Sequence, residues 1–392
     1  MRRYHAFDPP EYVDWSPDPE TMLEFSRAIE RDPERARRIA DLTAQRRLEI
    51  YAGLLRFRLH DIALKRWVRQ GVISKAWLGT GEEATTIGPV HALERGGPNG
   101  DVVGPMIRNA GACHEMGMPV ADMLRGYLAT EDSPNRGRDL HVGGRRYGIV
   151  TPISMVGALA AVIAGYGLGF RKLGTKRLAL TWVGDGATKA GEVHEAFNLA
   201  ATQRLPVIFI IQNNQVALGT RLEEHHAADG FAELGRLYGA TGAPFDGNNV
   251  LDAYAATHWA AEICRAGEGP VFLAAETFRM SGHATHDEKE ARELFSEEEF
   301  ASWGRRDPIG CYGAWLVNGR LNLETGAQCE PGAATGVNSA ALEEVEARVT
   351  EEVESAAAEA LAGRARMPRP ESAVEGVYGT WPESGRQEKD RF

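Results

Sequence analysis

The sequence predicts an α/β protein whose mostly parallel sheet is flanked by helices. Two short apolar runs, residues 177–183 and 206–211, have the length and composition of buried strands. Residues 190–202 lie between them and space their apolar side chains like a helix. A strand, a helix and a second strand of these lengths form a crossover that pairs its strands in parallel. A third apolar run, residues 271–277, offers another buried strand.

The segment before this core has its own pattern. Pro, Asp and aromatic residues crowd the first thirty positions, so we expect an irregular arm on the surface. From Asp32 onward apolar residues recur at three- and four-residue steps, which predicts an amphipathic helix to about Gly71. We therefore interpret residues 1–45 as an arm with the start of the first helix, and residues 46–310 as the α/β domain.

Toward the end of the chain the regular apolar pattern is interrupted. Residues 318–340 are polar and Gly-rich, and we interpret 311–340 as a loop or linker. We interpret residues 341–392 as a C-terminal helix followed by a polar, charged tail. The helix is predicted by one stripe of apolar residues: Leu342, Val345, Val349, Val353 and Leu361.

Composition restricts the class of protein. The 392 residues are 43% hydrophobic and 25% charged, with a formal net charge of −11, which excludes a fibrous, disordered or basic nucleic-acid-coating protein. No window approaches the roughly 18 uninterrupted apolar residues of a membrane span, and no apolar segment follows Met1. We therefore expect a cytoplasmic protein with no nucleic-acid or membrane partner. The cysteines lie far apart and are expected to be reduced structural thiols: Cys113, Cys264, Cys311 and Cys329.

Two polar motifs stand where consecutive strands are predicted to end. Gly184-Asp185-Gly186 follows the first strand and Asn213-Asn214 follows the second, with 26 residues between the motifs. Parallel sheets bind ligands outside the carboxyl ends of their strands. Asp185, Asn214 and a main-chain carbonyl such as that of Val216 would supply half of the oxygen shell that Mg²⁺ requires.

The flanking glycines allow the backbone to approach a ligand closely, and a helix starting near Ala190 would direct its N-terminus at the same place. Each motif alone is more often a simple turn that ends a strand. Because both occur at consecutive strand ends, we favour a site for a magnesium-bound diphosphate.

The same residues carry a family resemblance. The Gly-Asp-Gly and Asn-Asn spacing resembles the thiamine diphosphate signature, and residues 184–220 are similar to the alpha subunit of the decarboxylating first component of 2-oxo acid dehydrogenase complexes, of the pyruvate or branched-chain type. The resemblance extends from about Leu55 through Ile309. It implies a thiamine diphosphate-binding fold, bound Mg²⁺ and oxidative decarboxylation of a 2-oxo acid.

The resemblance also implies the role of each site residue. Asp185, Asn214 and the Val216 carbonyl match the magnesium ligands, and Arg108 matches the arginine that contacts the diphosphate. Ile153 matches the apolar wedge beneath the cofactor rings, while His283 matches the loop histidine near diphosphate and substrate, which we take as the catalytic residue. Further cofactor-binding positions implied by the match are Thr151, Gly184, Gly186, Ala187 and Arg279.

The implied partners are a beta subunit and a lipoyl-bearing transacylase that receives the acyl group. In the family, the glutamate that activates the cofactor belongs to the beta subunit. Nothing in this chain resembles the pyrimidine-binding domain of that subunit. We therefore expect the chain to be inactive alone and to work as two alpha and two beta chains.

The chain departs from the family pattern at a few positions. Met106 and Ile107 precede the matched arginine, where many relatives have a tyrosine, and an apolar wall favours a bulkier aliphatic acyl group. Lys75 beside Trp77 would select a second carboxylate if it pointed inward, although we favour a solvated lysine. Ala284 replaces a serine that is phosphorylated in animal relatives, which excludes that modification at this position; Thr285 remains.

Several alternatives stay open at this stage. An acetoin dehydrogenase alpha subunit would share all these motifs, and a catalytically silent scaffold subunit would keep the fold. A magnesium-dependent phosphohydrolase would need a second carboxylate, but Ala187 stands two residues after Asp185. His283, His286 and Asp287 could form a metal cluster, although a charged loop explains them equally. We interpret His225 and His226 as loop residues.

Overall fold

The computed structural model describes residues 2–318 and 335–375. Its main sheet has five strands, all parallel, in the order β1-β2-β3-β7-β6, and a separate two-stranded ribbon pairs β4 with β5. The α/β class and the mostly parallel sheet are therefore confirmed. The strands are β1 (Val102–Gly104), β2 (Ala179–Gly184), β3 (Val207–Asn213), β4 (Val216–Ala217), β5 (Thr220–Arg221), β6 (Thr241–Asp246) and β7 (Val271–Glu276).

Sixteen α-helices are found within the described residues. They are α1 (Pro10–Val13), α2 (Pro19–Glu30), α3 (Pro33–Ala40), α4 (Ala44–Arg69), α5 (Glu83–His91), α6 (Ala110–Glu115), α7 (Val120–Leu128), α8 (Leu159–Lys172), α9 (Gly191–Thr202), α10 (Leu222–His225), α11 (Glu233–Leu237), α12 (Val250–Ala266), α13 (Glu288–Glu293), α14 (Glu297–Arg305), α15 (Pro308–Asn318) and α16 (Ser339–Ala362).

Alternate residues of the central strands enter two separate cores. On β3, Phe209 and Ile211 face a core shared with α8 and α9, whereas Ile208 and Ile210 face a core shared with α4, α5 and α12. Side chains of a strand alternate between the faces of its sheet, so a strand buried on both faces must be apolar throughout. This explains why residues 206–211 form a continuous apolar run.

The prediction of an irregular arm over the first thirty residues is wrong. Residues 10–13 and 19–30 are helical, and Phe25 and Ile29 are buried in the core that contains α4. Asp18 caps α2 by accepting a hydrogen bond from the Thr21 N–H, at 2.8 Å, and Pro19 occupies the first helical position. The Asp-Pro pairs interpreted as irregular are therefore helix starts.

The helix predicted from Asp32 to Gly71 is two helices. The helix α3 ends at Ala40. The helix α4 begins at Ala44, and the Thr43 hydroxyl caps it by accepting a hydrogen bond from the Arg46 N–H. Two strands of the structure, β1 and β6, were not predicted from the sequence. The first has only three residues, and the second contains Gly242 and Pro244 at the sheet edge, a composition typical of turns.

The C-terminal boundaries also differ. The linker assigned to 311–340 begins inside α15, whose Tyr312 and Leu316 are buried. Residues 319–334, with Cys329, and residues 376–392 of the assigned tail lie outside the described residues. The last helix is confirmed as α16, which packs against α4 and α7. Within the described part of the chain, no helix has both the length and the apolar character needed to cross a membrane.

Candidate active site

The carboxyl ends of four strands open into one cleft of about 550 Å³. Residues at or beyond the ends of β1, β2, β3 and β7 line it, including Arg108, Asp185, Asn214 and Arg279. The predicted meeting of Gly184-Asp185-Gly186 with Asn213-Asn214 follows from the pairing of β2 with β3, in which Gly184 lies beside Gln212. This geometry is the one expected for ligand binding on a parallel sheet.

Two oxygen atoms in this cleft are buried and have no hydrogen-bond partner among the described residues, Oδ2 of Asp185 and Oδ1 of Asn214. The other Asp185 oxygen accepts the Gly186 N–H at 2.7 Å. Burial raises the pKa of Asp185, and the neighbouring Glu82 also contributes to the increase. Val216, the third predicted ligand, is buried and lines the same cleft. Unpaired buried oxygens are costly, so this arrangement favours a bound cation.

The glycines flanking Asp185 serve different purposes. A Cβ added to Gly184 would meet no atom within 4 Å, so this residue leaves open space for a ligand. A Cβ on Gly186 would lie 2.4 Å from the Cβ of Ala217, so this glycine permits β4 to pack closely. The helix α9 begins at Gly191 with Ala190 as its N-cap, as predicted, and a short 3₁₀ helix over 186–189, capped by Asp185, lies between the end of β2 and α9.

Glu82 organises the floor of the site, and sequence reasoning did not identify it. Its side chain is fully buried and accepts hydrogen bonds from Arg108 at 3.1 Å, Gln212 at 2.5 Å and Asn214 at 2.8 Å. Gln212 and Asn214 lie together at the end of β3, but Arg108 and Glu82 come from two other segments, so no sequence spacing reveals their meeting. The carboxylate orients the Asn214 amide so that Nδ2 faces Glu82 and Oδ1 is left for a cation.

Positive charge gathers on the side of the cleft next to Asn214. Arg108 donates to Nδ1 of His283 at 3.0 Å, and Arg279 donates to the Leu218 carbonyl at 2.8 Å. Burial and then the charge of Arg108 lower the pKa of Arg279 to about 10. Burial, followed by the charges of Arg108 and Arg279, lowers the pKa of His283 to about 4. An anion bound here would relieve this repulsion.

The loop that carries His283 is held by its own polar contacts. The Asp287 carboxylate accepts the N–H groups of His283 at 3.2 Å and of Ala284 at 2.8 Å. Thr285 exchanges hydrogen bonds with the main chain of Ala76. Asp287 therefore shapes the loop, and among residues 2–318 and 335–375 no group of three His, Cys, Asp or Glu side chains is arranged for a metal ion.

Only some of the remaining residues predicted from the sequence lie in the cleft. Ile153 and Ala187 line the cleft, whereas Thr151 is exposed and does not. His225 ends the short helix α10 rather than lying in a loop, and the His226 ring stacks on Phe231 with centroids 3.9 Å apart.

The outer wall of the cleft is apolar. Trp77, Met106 and Ile107 line it, which agrees with the apolar wall that the departures at Met106 and Ile107 predict. Lys75 is exposed, does not line the cleft, and places its ammonium 5.1 Å from the centroid of the Trp77 ring. Asp185 is the single carboxylate among the described lining residues, so the pair of carboxylates that a phosphohydrolase would use is not formed there.

The comparisons with known proteins agree with this geometry. Residues 54–368 match the family described as "Dehydrogenase E1 component". The chain is 29% identical over 340 residues to the 2-oxoisovalerate dehydrogenase subunit alpha of Bacillus subtilis, covering 86% of this chain and 96% of that protein. It is 30% identical to the pyruvate dehydrogenase E1 component subunit alpha of Rhizobium meliloti, covering 69% and 77%. The mitochondrial 2-oxoisovalerate dehydrogenase subunit alpha of Mus musculus is 30% identical, and the match covers 69% of this chain and 61% of the mouse protein.

Proposed function

The chain belongs to the dehydrogenase E1 component family, and we propose that it is the alpha subunit of a thiamine diphosphate-dependent 2-oxo acid dehydrogenase. The observation that carries the proposal is the pair of unpaired, buried oxygens of Asp185 and Asn214 in a cleft that also presents two arginines. Carboxylate and amide oxygens suit Mg²⁺, and arginines suit a diphosphate. The donor set of the cleft thus fits a magnesium diphosphate.

Each part of the cofactor has candidate residues. Asp185, Asn214 and the carbonyl of Val216 would hold Mg²⁺, and Arg108 would contact the diphosphate. Arg279 stands next to this group and would add positive charge. The open space beside Gly184 and the apolar side chain of Ile153 would receive the rest of the cofactor.

When bound, thiamine diphosphate supplies the carbon nucleophile for the 2-oxo group and accepts the electrons released on loss of carbon dioxide. The chain itself binds, orients and manages protons. Because Arg108 donates to Nδ1 of His283, the ring of that histidine carries its proton on Nε2. With its pKa lowered to about 4, His283 is neutral at pH 7 and can donate a hydrogen bond from Nε2.

The wall formed by Trp77, Met106 and Ile107 supports an aliphatic 2-oxo acid as substrate. An apolar wall leaves a second carboxylate without a partner, which disfavours a dicarboxylic substrate. The exposed position of Lys75 is consistent with this preference. We propose a pyruvate or branched-chain 2-oxo acid, with the larger side chain preferred.

The proposal includes protein partners. The relatives above are named as alpha subunits, and we infer that this chain pairs with a beta subunit in an assembly of two alpha and two beta chains. The acyl group would pass to the lipoyl group of a transacylase. The isolated chain should therefore be inactive.

Asp185→Ala tests the proposal directly. In the complex with its beta subunit, calorimetric titration of thiamine diphosphate with Mg²⁺ should give an affinity at least about 100-fold weaker than that of the unmodified chain, since a carboxylate ligand is lost. The matched control is Asp229→Ala, because Asp229 is exposed and does not line the cleft. Unchanged magnesium-dependent binding in Asp185→Ala would refute the assignment.

A further inference from the structure

Besides His283, a second histidine, His141, lies on the wall of the cleft, and each of its ring nitrogens has a polar partner. His141 Nδ1 is 2.8 Å from Oδ1 of Asp139, and His141 Nε2 is 3.3 Å from Oγ of Ser154. His141 and Ser154 both line the cleft, together with Asp185 and His283. The roles assigned above to Asp185, Arg108 and His283 do not use these three residues.

The order of donors and acceptors in this group is fixed by Asp139. Burial raises the pKa of Asp139, but hydrogen bonds from the His141 ring and main chain outweigh burial and bring it below its usual range. Asp139 is therefore an anion at pH 7 and can only accept. It follows that Nδ1 of His141 carries a proton, and that Nε2 of the neutral ring accepts the Ser154 hydroxyl proton.

The group is held by the fold rather than by chance contact. The Asp139 carboxylate also accepts the main-chain N–H of His141 at 3.2 Å, which closes a tight turn. The amide of Asn135 donates to the carbonyl oxygens of Asp139 and His141 and fixes that turn from the other side. Only 10% of the His141 side chain is exposed. The ring is therefore mostly covered and has a partner on each nitrogen, whereas the Asp139 side chain is 58% exposed.

The two histidines of the cleft have opposite surroundings. His283 accepts a hydrogen bond from a guanidinium and has Arg279 nearby, so its protonated form is disfavoured. His141 instead has the Asp139 carboxylate at Nδ1 and the Ser154 hydroxyl at Nε2. A site that performs general acid–base chemistry near pH 7 needs a group that can both hold and release a proton. His283 is poorly suited to hold one, whereas the contacts of His141 connect a carboxylate, an imidazole and a hydroxyl on the wall of the cleft.

We propose that Ser154 is a further catalytic residue of this cleft, whose hydroxyl exchanges a proton with an oxygen of the bound substrate, and that His141, oriented by Asp139, is the positioning residue that exchanges a proton with Ser154. This inference rests on the proposed function for the identity of the substrate. In the protonating direction, Nε2–H of the imidazolium is transferred to Ser154 Oγ while the proton of Ser154 moves to the substrate oxygen. The Nε2–H bond breaks, one O–H bond forms on the substrate, and His141 is left neutral. The reverse transfer makes His141 a base.

His141→Gln is the decisive variant because glutamine keeps a polar side chain but carries no exchangeable proton of this kind. In the complex with beta subunit, kcat should fall by about 100-fold or more, while KM for the 2-oxo acid and the affinity for thiamine diphosphate stay within about threefold. His5→Gln is the matched control, since His5 is exposed and outside the cleft.

Asp139→Asn and Ser154→Ala separate catalysis from structure. Asp139→Asn should lower kcat about tenfold, because the carboxylate that holds the proton on Nδ1 of His141 is lost, and Asp139→Glu should recover part of that loss. Ser154→Ala should lower kcat while KM for the 2-oxo acid and the affinity for thiamine diphosphate stay within about threefold.

The outcomes distinguish the two proposals. If the unmodified complex fails to bind thiamine diphosphate, the proposed function is refuted and this inference with it. If the complex binds the cofactor and turns over a 2-oxo acid, but His141→Gln keeps kcat within about threefold, the inference alone is overturned.

Discussion

Single side chains decide how the cleft presents its oxygens. An asparagine at a metal site must turn its amide so that Oδ1, not Nδ2, faces the cation. In this chain Glu82 sets that orientation, because its buried carboxylate accepts Nδ2 of Asn214 at 2.8 Å. The same carboxylate accepts Arg108, so one residue positions both a metal ligand and a diphosphate contact.

Glu82→Gln should weaken this arrangement without removing a ligand. A glutamine cannot neutralise Arg108, and its NH₂ group would face the NH₂ groups of Gln212 and Asn214. We expect the affinity for magnesium thiamine diphosphate to fall about 10- to 100-fold, as is usual when a residue that orients a ligand is lost. Calorimetry measures this, with exposed Glu268→Gln as the control. An unchanged affinity in a folded Glu82→Gln protein would show that Asn214 holds its orientation without help.

At the scale of elements, apolar patterning was sufficient where an element is buried on one or both faces. β2, β3, β7, α9 and α16 were predicted close to their observed bounds because their apolar residues follow the period of a strand or helix. Edge strand β6 was missed because it buries little. The helices near the N-terminus were missed because Asp-Pro both starts helices and occurs in irregular segments.

The residues of the candidate site also fall into those that the sequence predicts and those that it does not. Asp185 and Asn214 could be predicted because each follows a strand end directly in the sequence. Glu82 and His141 could not, since their roles depend on contacts with distant segments: 132 positions separate Glu82 from Asn214, and 13 separate His141 from Ser154. Sequence spacing carries no signal for such contacts unless strand pairing fixes them.

A buried ion cluster joins the N-terminal segment to the domain. Arg58 of α4 is fully buried and pairs with Glu83 of α5, with Asp307 at 3.1 Å and with Asp8 at 3.5 Å. Its guanidinium carbon also lies 4.7 Å from the centroid of the Tyr12 ring. Arg58 therefore contacts carboxylates from three separate segments, and Asp307 also pairs with Arg3 at 2.6 Å.

Arg58→Met should destabilise the fold by about 3–5 kcal/mol, because it removes the counter-charge of the buried carboxylates of Glu83 and Asp8. Arg58→Lys should recover part of that loss, since it restores the charge but not the planar fork of donors. Urea denaturation followed by circular dichroism measures both. The control is Arg37→Met, whose exposed pair with Glu34 should contribute little. A loss as small for Arg58→Met as for the control would mean that the carboxylates are satisfied in another way.

At the scale of the whole molecule, one of the helices that cover the sheet, α8, leaves apolar side chains exposed on its outer surface. α8 buries Leu159 and Ile163 against the sheet, but Val162 is 42% exposed and Tyr166 40% exposed on its outer side. Gly165 and Gly169 lie on the same stripe, and a Cβ on either would meet nothing within 4 Å. The stripe continues to Met155 and Val156, which are exposed and line the cleft. An apolar stripe of this kind that leads into an active site is typical of a subunit interface.

Val162→Glu should therefore weaken assembly with the beta subunit while leaving the chain itself folded. The side chain already contacts solvent in the chain alone, so a carboxylate costs little there, but its burial without a counter-charge would oppose association. We expect the dissociation constant to rise at least about tenfold, measured by sedimentation velocity, and activity to fall in parallel at low protein concentration. Leu237→Glu is the matched control, because Leu237 is also exposed but belongs to α11, which packs on β6 at the opposite edge of the sheet. If both variants assemble like the unmodified chain, the outer face of α8 is not the interface, and the beta subunit must bind elsewhere around the cleft.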